Sequence, residues 1–217
     1  MILRVKSSSE IFLTIPKRVT IKQGKEFVKK KIDWIKKQQD KYKSFENKRE
    51  TSNFRNGDIV YFLGNKYKLK LIPSEKNFFK IDDEYLTLNI RKNYIENKEY
   101  ISKIYDKLLK EYAKTVFKDL VIKYQSQMVK YKIKMPEIEI RKMKSRWGSC
   151  FCTKNKIVLN LSLIKTPIEC IEYVVVHELS HFKYQNHSKS FYDFISIFIP
   201  DWNERRKILN KEYGFVI

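Results

Sequence analysis

The 217-residue sequence predicts an α+β fold in which short strands come first and long helices follow. Between residues 59 and 90, apolar residues alternate with polar ones in short runs, which is typical of half-buried strands. From residue 97 onward, apolar residues recur every three or four positions over long stretches, which is typical of amphipathic helices. We therefore expect a β-rich N-terminal region with one helix, residues 1–95, and a helical C-terminal region with a small sheet, residues 96–217.

The first region begins with a short strand and a helix. Residues 11–15 are predominantly apolar, and Pro16 ends the strand because proline cannot donate to a ladder. Thr20 is a suitable N-cap, and the apolar stripe after it predicts a helix over residues 22–42. The members of that stripe are Phe27, Val28, Ile32, Trp34 and Ile35.

A hairpin and two more strands complete this region. We expect the hairpin to turn at Gly64-Asn65, because glycine and asparagine tolerate the positive φ that tight turns need. The four strands are expected over residues 59–63, 66–72, 78–81 and 86–90.

The second region begins with a long helix, because apolar residues recur at helical spacing from residue 97 to 131. Alternating apolar residues then predict strands over residues 138–143 and 156–161. For residues 156–161 two alternatives stay open. They form either an interior strand of the sheet or an edge strand to which an extended peptide substrate could add.

Two capping boxes mark the starts of later helices. Thr166 with Glu169 predicts a helix that continues through the histidines discussed below. Ser190 with Asp193 predicts the next helix in the same way. A last helix is expected over residues 202–213.

The chain is strongly basic, with a net charge of +21 from 46 basic and 25 acidic residues. A field of this size attracts polyanions by releasing their counterions, so nucleic acid is one partner to consider. The excess is mostly lysine spread along the chain, and arginine, which binds phosphate in a bidentate manner, is sparse. This distribution favours an ordinary solvated basic surface, and both alternatives stay open.

The cysteine content and the lengths of the apolar runs indicate the cellular compartment. Cys150, Cys152 and Cys170 are an odd number without a C-x-x-C pair, which indicates reduced thiols in a reducing compartment. The first residues lack the apolar segment of a signal peptide, and the longest apolar runs are too short to span a bilayer. We therefore expect a cytoplasmic protein with no membrane partner.

All three histidines of the chain, His177, His181 and His187, lie within eleven residues. The first two form an H-E-x-x-H motif with Glu178, in which histidines four residues apart share a helix face and can bind one Zn²⁺ ion. His187 supplies a third ligand and leaves the fourth position to water, as in catalytic zinc sites. Zinc activates that water, and Glu178 is the expected general base. A left-handed Asn186 would end the helix and return His187 to the metal.

Alternatives to a catalytic zinc are histidines without any metal and a purely structural zinc site. Histidines without a metal would leave unexplained why all three lie so close together in the sequence. A structural zinc site needs a fourth protein ligand, which the nearby sequence does not offer. Cys150 as an inhibitory fourth ligand is not required by any spacing. Candidates to stabilise an oxyanion are Tyr184, Tyr192 and Tyr213. Candidates to orient a ligand histidine are Asp193 and Asp201.

Several segments together resemble one known family. The catalytic half carries the run Arg146-Trp147-Gly148-Ser149-Cys150, the strand that follows it and the histidine motif with its apolar approach. The remaining matching segments are residues 16–19, 33–35, 57–71, 186–188, 191 and 200–201. On these residues the sequence resembles the YgjP-like metallopeptidases, relatives of the SprT-like and WLM zinc peptidases.

This resemblance implies a zincin-like catalytic domain in which the H-E-x-x-H helix packs on a small sheet. It also implies that His177, His181 and His187 bind zinc and that Glu178 is the general base. The predicted function is therefore hydrolysis of peptide bonds in a peptide or protein substrate. Two alternatives stay open: a DNA-associated protease of the SprT-like type, and a basic nucleic-acid-binding protein with a vestigial metal site.

Overall fold

The computed structural model describes residues 1–6, 10–46 and 53–214 of a mixed α+β chain. Contacts divide the chain into two compact units, Met1–Arg49 and Glu50–Ile217. The predicted α+β class is confirmed, whereas the predicted boundary after residue 95 stays a prediction. In the described ranges, no helix combines the length and the apolar character needed to cross a membrane.

The first unit contains a two-stranded antiparallel sheet and two helices. Strand β1 (Ile2–Val5) was not predicted, and strand β2 (Ile11–Thr14) lies where the sequence places it. Thr20 caps the first helix through a capping box with Gln23, as expected. The single helix predicted over residues 22–42 is instead two helices, because Lys31 leaves helical geometry with φ −109° and ψ 12°. The elements are β1 (Ile2–Val5), β2 (Ile11–Thr14), α1 (Ile21–Lys30) and α2 (Ile32–Glu46).

The second unit begins with a four-stranded sheet in the order β3-β4-β6-β5. Its strands are β3 (Ile59–Phe62), β4 (Asn65–Ser74), β5 (Phe78–Ile81) and β6 (Tyr85–Arg91). The hairpin turns at Leu63-Gly64, one residue before the predicted Gly64-Asn65, and both turn residues have positive φ. The backbone N–H groups of Leu63 and Gly64 donate to the carbonyls of Ile164 and Lys165, so a distant segment holds the turn in place.

A 31-residue helix, α3 (Lys98–Met128), follows this sheet. The helix begins where the sequence pattern predicts, and Asn97 caps it by accepting a hydrogen bond from the Tyr100 N–H. One face of the helix is buried along its whole length, from Ile101 through Leu109 and Phe117 to Met128. These residues belong to the same hydrophobic core as the strands before the helix and the helices after it.

A second, three-stranded sheet positions the functional residues. Its strands are β7 (Glu137–Arg141), β8 (Gly148–Phe151) and β9 (Lys156–Asn160), in the order β7-β9-β8. The sequence predicted β7 and β9 but not β8. Because β9 pairs with a neighbour on both sides, the proposal that a peptide adds to this strand is wrong, and the alternative of an interior strand is confirmed.

Three helices complete the unit: α4 (Ile168–Ser180), α5 (Lys189–Phe198) and α6 (Trp202–Glu212). Helix α4 lies at the centre and packs against α3, α5, α6 and β8. Neither predicted capping box is present. Pro167 is the N-cap of α4, and the buried Thr166 hydroxyl donates back to the Leu163 carbonyl. Ser188, rather than Ser190, occupies the N-cap of α5.

Candidate metal centre

The last turn of α4 carries the first half of the site. Val175, Val176 and Leu179 are fully buried in the core, which fixes the rotation of the helix about its axis. His177 is thereby half-buried on the side of α4 that faces a cleft, and Glu178 is 5% exposed. His181 is the C-cap residue of α4 and directly follows Ser180, the last residue of the helix. The apolar stripe of the helix therefore determines where the polar residues of the motif point.

The three histidine side chains converge. Their ligand nitrogens all lie within 4.8 Å of one another, and Nε2 of His177 is 3.0 Å from Nε2 of His187. Two nitrogens that bind one zinc ion at about 2.0–2.1 Å in a tetrahedral site stand about 3.3 Å apart. In the part of the chain that the structure describes, the donor set is three imidazoles with no further protein ligand, which fits a divalent metal with an open position.

A turn after α4 returns the chain to the site. The N–H groups of Lys183 and Tyr184 donate to the Ser180 carbonyl, and the Ser188 N–H donates to the Asn186 carbonyl. Asn186 does not have positive φ, so the predicted left-handed cap at this residue is wrong. Tight backbone turns, rather than one left-handed residue, bring His187 back to His177.

Backbone hydrogen bonding sets the orientation of one imidazole. Nδ1 of His181 lies 3.1 Å from the carbonyl oxygen of Tyr184. With the proton on Nδ1 donated to this carbonyl, Nε2 is left as the acceptor that can bind a metal. Neither of the expected carboxylates does this, since Asp201 pairs with Arg205 and Asp193 contacts no histidine in the described part of the chain.

A buried phenylalanine supports all three rings. Phe191, from the first turn of α5, is 0% exposed, and its ring centroid lies 4.8–5.0 Å from each imidazole centroid. Because this buried ring packs against all three imidazoles, it limits their rotation. Phe191 entered the predictions only through the family resemblance, without a role of its own.

Burial shifts the pKa values of His177 and Glu178 in the directions that favour their neutral forms. Desolvation, with the neighbouring histidines, lowers the pKa of His177 to about 3. A neutral imidazole is the form that binds a metal. Desolvation raises the pKa of Glu178 to about 8, and the positive charge of Arg146 acts in the opposite direction.

Strand β8 forms the opposite wall of the cleft. The cleft has a volume of about 470 Å³ and is lined by Gly148, Ser149 and Phe151 as well as by the histidines and Glu178. A side-chain carbon at Gly148 would clash with Glu178, so only glycine allows this approach. Two thiols lie on the same wall, with Sγ of Cys150 3.5 Å from Sγ of Cys152. Neither is among the residues that could hold the metal.

A smaller cavity of about 220 Å³ adjoins the other side of His177 and Glu178. Arg146, Arg206 and Tyr173 line it. The Tyr173 ring lies 5.8 Å from that of His177, and burial raises the pKa of Tyr173 to about 12. Tyr173 entered the predictions only as part of the family resemblance, without a role, and Arg206 was not predicted at all.

The three predicted oxyanion candidates lie at different places. Tyr192 stacks on Trp202, and its ring centroid is 6.2 Å from that of His187. Tyr213 donates its hydroxyl proton to the Gly64 carbonyl, away from the cleft. Tyr184 approaches the site with its backbone carbonyl, and its ring packs against Phe194.

The fold and the site together define a mixed α+β chain in which three imidazoles converge beside a buried glutamate, as in a metal-dependent hydrolase. The family model described as "YgjP-like, metallopeptidase domain" matches residues 1–212. The chain therefore belongs to the YgjP-like metallopeptidase family, which confirms the resemblance found in the sequence. No curated protein matches it.

Proposed function

We propose that this protein is a zinc-dependent peptidase with a zincin-like active site. The observation that carries the proposal is the convergence of His177, His181 and His187 beside the buried carboxyl of Glu178. Membership of a metallopeptidase family supports a peptide or protein substrate. In this proposal the three histidines are the ligands of Zn²⁺ and Glu178 is the general base.

The identity of the metal follows from the donors. Three neutral imidazoles without a carboxylate ligand suit zinc better than calcium or magnesium, which prefer oxygen. Zinc held at this site would lower the pKa of water toward neutrality and polarise the scissile carbonyl. The low pKa of His177 keeps that ring ready to bind at neutral pH.

Glu178 moves the proton in this mechanism. Its carboxylate accepts a proton from the attacking water and delivers it to the leaving amine, so the same group acts first as base and then as acid. Without a metal, burial holds its pKa at about 8. A dication at the histidines would favour the carboxylate form and lower that pKa toward the range of a general base.

The substrate can align on strand β8. This strand is an edge of its sheet, because it pairs only with β9 in the described part of the chain, and it lines the cleft from Gly148 to Phe151. An extended peptide that adds to this edge would pass between β8 and the histidines. The strand-addition idea raised for β9 therefore applies to its neighbour.

The variant Glu178→Gln tests the proposal. It keeps the shape of the side chain and should reduce peptide cleavage by about 10²–10⁴-fold, while bound zinc, measured by elemental analysis, stays stoichiometric. Cleavage products of a cell-derived peptide library, compared between the wild type and this variant, would also define the specificity. The matched control is Glu169→Gln, an exposed change on the same helix, which should leave cleavage intact.

Two outcomes would contradict the proposal. Full cleavage by Glu178→Gln would exclude Glu178 as the base. Purified wild-type protein that neither retains nor takes up zinc would exclude the metal. Cleavage that requires duplex DNA, with a requirement that fades as salt increases, would instead favour the DNA-associated protease suggested by the net charge of +21.

A further inference from the structure

A row of lysines runs along one face of α3. Lys103, Lys107, Lys110, Lys114 and Lys118 are all exposed and all line the same groove. They are spaced three or four residues apart, so they lie one above another on the helix surface. At 1.5 Å per residue the row extends about 22 Å. This length matches six or seven residues of extended polypeptide.

The positive charge of this row is largely unneutralised. In the described part of the chain, Lys103, Lys107, Lys110 and Lys118 have no ion-pair partner, and Lys114 pairs only with Glu111 on its own helix. Like charges this close repel one another, because even exposed pairs at neighbouring helix positions interact measurably. A bound anionic chain would relieve that repulsion.

The opposite wall of the groove is the free edge of β7. This strand is the outermost one of its sheet and pairs with β9 alone in the ranges that the structure describes. Residues 138–142 line the groove consecutively. Since alternate side chains of a strand point to opposite faces, a consecutive run means that the strand presents its edge to the groove. Unpaired backbone N–H and C=O groups on that edge can accept another strand.

The floor is apolar and the few acidic groups are already paired. Ile138, Ile140 and Leu161 contribute the floor of a groove of about 850 Å³. Asp106 pairs with Lys142. Glu139 is bonded to Arg141 and Lys156, which lower its pKa to about 2. The groove therefore offers positive charge, apolar contact and a strand edge, with little free negative charge to repel an anion.

We propose that this groove binds an acidic segment of another polypeptide in extended conformation. The main chain of the segment adds to the edge of β7, and alternate carboxylates pair with the lysines of α3. Apolar side chains on the other face of the segment pack on Ile138 and Ile140. Charge pairing with the lysines favours a segment with an acidic sequence. Pairing with the strand edge favours a segment that is unfolded or extended.

Nucleic acid fits this groove less well. Sites for single strands combine basic side chains with aromatic rings on which the bases stack, and none of the residues that line this groove is aromatic. The one guanidinium that lines it, that of Arg141, is already engaged with Glu139. Lysine ammonium groups bind carboxylates as readily as phosphates, so the strand edge decides in favour of a polypeptide.

The groove is distinct from the metal centre. No residue lines both the groove and the cleft that contains the histidines. Binding at the groove therefore does not require zinc, and the inference stands apart from the proposed function. A bound substrate protein could still be cleaved at the cleft after one of its acidic segments has docked here.

Fluorescence anisotropy with the full-length protein tests the inference. The probe is a labelled ten-residue peptide that alternates glutamate and valine, added to the Glu178→Gln variant with and without a chelator so that cleavage plays no part. We expect saturable binding that is insensitive to the chelator and weakens with salt. The same peptide with glutamine in place of glutamate should bind at least tenfold more weakly.

Variants locate the binding. Replacing Lys107, Lys110 and Lys118 together by glutamine should weaken peptide binding about tenfold, because exposed ion pairs contribute modestly and add up. The matched control replaces three exposed lysines outside the groove, Lys76, Lys80 and Lys98, and should change binding less than twofold. A peptide N-methylated at alternate residues keeps its charge but cannot pair with β7, and it should not bind.

Four outcomes would overturn the inference: no saturable binding of the acidic peptide, equal weakening by both triple variants, undiminished binding of the N-methylated peptide, and tighter binding of a ten-nucleotide oligothymidine at the same lysines. The first would show that the groove does not bind acidic peptides. The second would show a general charge effect. The third would exclude strand addition, and the fourth would make the groove a nucleic-acid site.

Discussion

Gly148 of strand β8 lies against the carboxyl of Glu178, so close that a side-chain carbon on Gly148 would stand 2.5 Å from Oε1 of Glu178. The strand wall of the cleft thus touches Glu178, the one acidic residue that lines the cleft in the described part of the chain. Because the neighbouring core residues of α4 fix the helix, the glutamate cannot withdraw without a rotamer change. The position of Glu178, the proposed base, therefore requires glycine at residue 148, because a larger residue would occupy the space of its carboxyl group.

Replacing Gly148 by alanine should therefore displace Glu178. We expect kcat/KM for peptide cleavage to fall by about 10²-fold or more, with zinc content unchanged, because a misplaced base loses most of its contribution. Ser149→Ala, at the next position of the same cleft wall, is the control and should retain most activity. Wild-type kinetics in Gly148→Ala would contradict the steric argument.

Replacing Phe191 by alanine should loosen the histidines. The change leaves a cavity behind all three rings and should lower the free energy of unfolding by about 3–5 kcal/mol, measured by urea denaturation. Zinc affinity, measured by competition with a chelating dye, should fall as well, because the rings become free to rotate. Phe191→Leu fills much of the space, and it should have the smaller effect on both quantities. Unchanged zinc affinity in Phe191→Ala would show that the ring only fills space.

The stability of the metal-free protein should depend on pH through Glu178. Burial raises its pKa from 4.5 to about 8, so between these values the native state keeps a proton that the unfolded chain has lost. The contribution of Glu178 to stability is complete below pH 4.5 and is lost as the pH rises to about 8. Glu178→Gln has no such titration, while the titration of His177 is present in both proteins.

Thermal unfolding of chelator-treated samples measures this effect. The melting temperature of Glu178→Gln minus that of the wild type should increase steadily between pH 4.5 and 8 and then level off. A difference that is flat across this range would mean that the carboxyl of Glu178 is not held in a desolvated environment.

Metal removal should destabilise the wild type and leave a ligand variant unaffected. Zinc at a hundredfold excess over its dissociation constant should stabilise the native state by about 2.7 kcal/mol, since the unfolded chain lacks the assembled site. His187→Ala removes an exposed side chain that the core does not need, so this variant should fold and show little stabilisation by zinc. Equal zinc stabilisation of both proteins would exclude His187 as a ligand.

The sequence predicted those features that depend on local periodicity and composition. The start of α3 at Asn97, the cap of α1 at Thr20 and the positions of most strands are examples, because each follows from side chains within a few residues. The convergence of the histidines was also predictable, since two of them lie four apart on one helix and the third follows within six residues.

Features set by distant contacts were missed or misplaced. Thr166 has a cap signature, yet its hydroxyl donates to the carbonyl of Leu163 in the preceding 3-10 turn. The hairpin turn lies at Leu63-Gly64 because the backbone N–H groups of these residues donate to carbonyls of a segment about 100 residues later. Strand β8 has little β pattern of its own and exists through its pairing with β9.

The parts of the site outside the motif also depend on tertiary structure. Phe191 looks like an ordinary core residue in the sequence, and only packing shows that it contacts all three imidazoles. Gly148 carried a weak signal, since the chain has only five glycines and this one precedes no obvious turn. The carbonyl that orients His181 belongs to the backbone of Tyr184, so no side-chain pattern could reveal it.

X-ray absorption at the zinc K-edge tests the central claim most directly. Protein loaded with one zinc ion per chain should give a first shell of nitrogen and oxygen neighbours at about 2.0–2.1 Å, with the multiple-scattering signature of three imidazoles. His187→Ala should lose one imidazole from that signature. A sulfur neighbour at about 2.3 Å, from Cys150 or Cys152, or a shell without three imidazoles, would contradict the proposed centre.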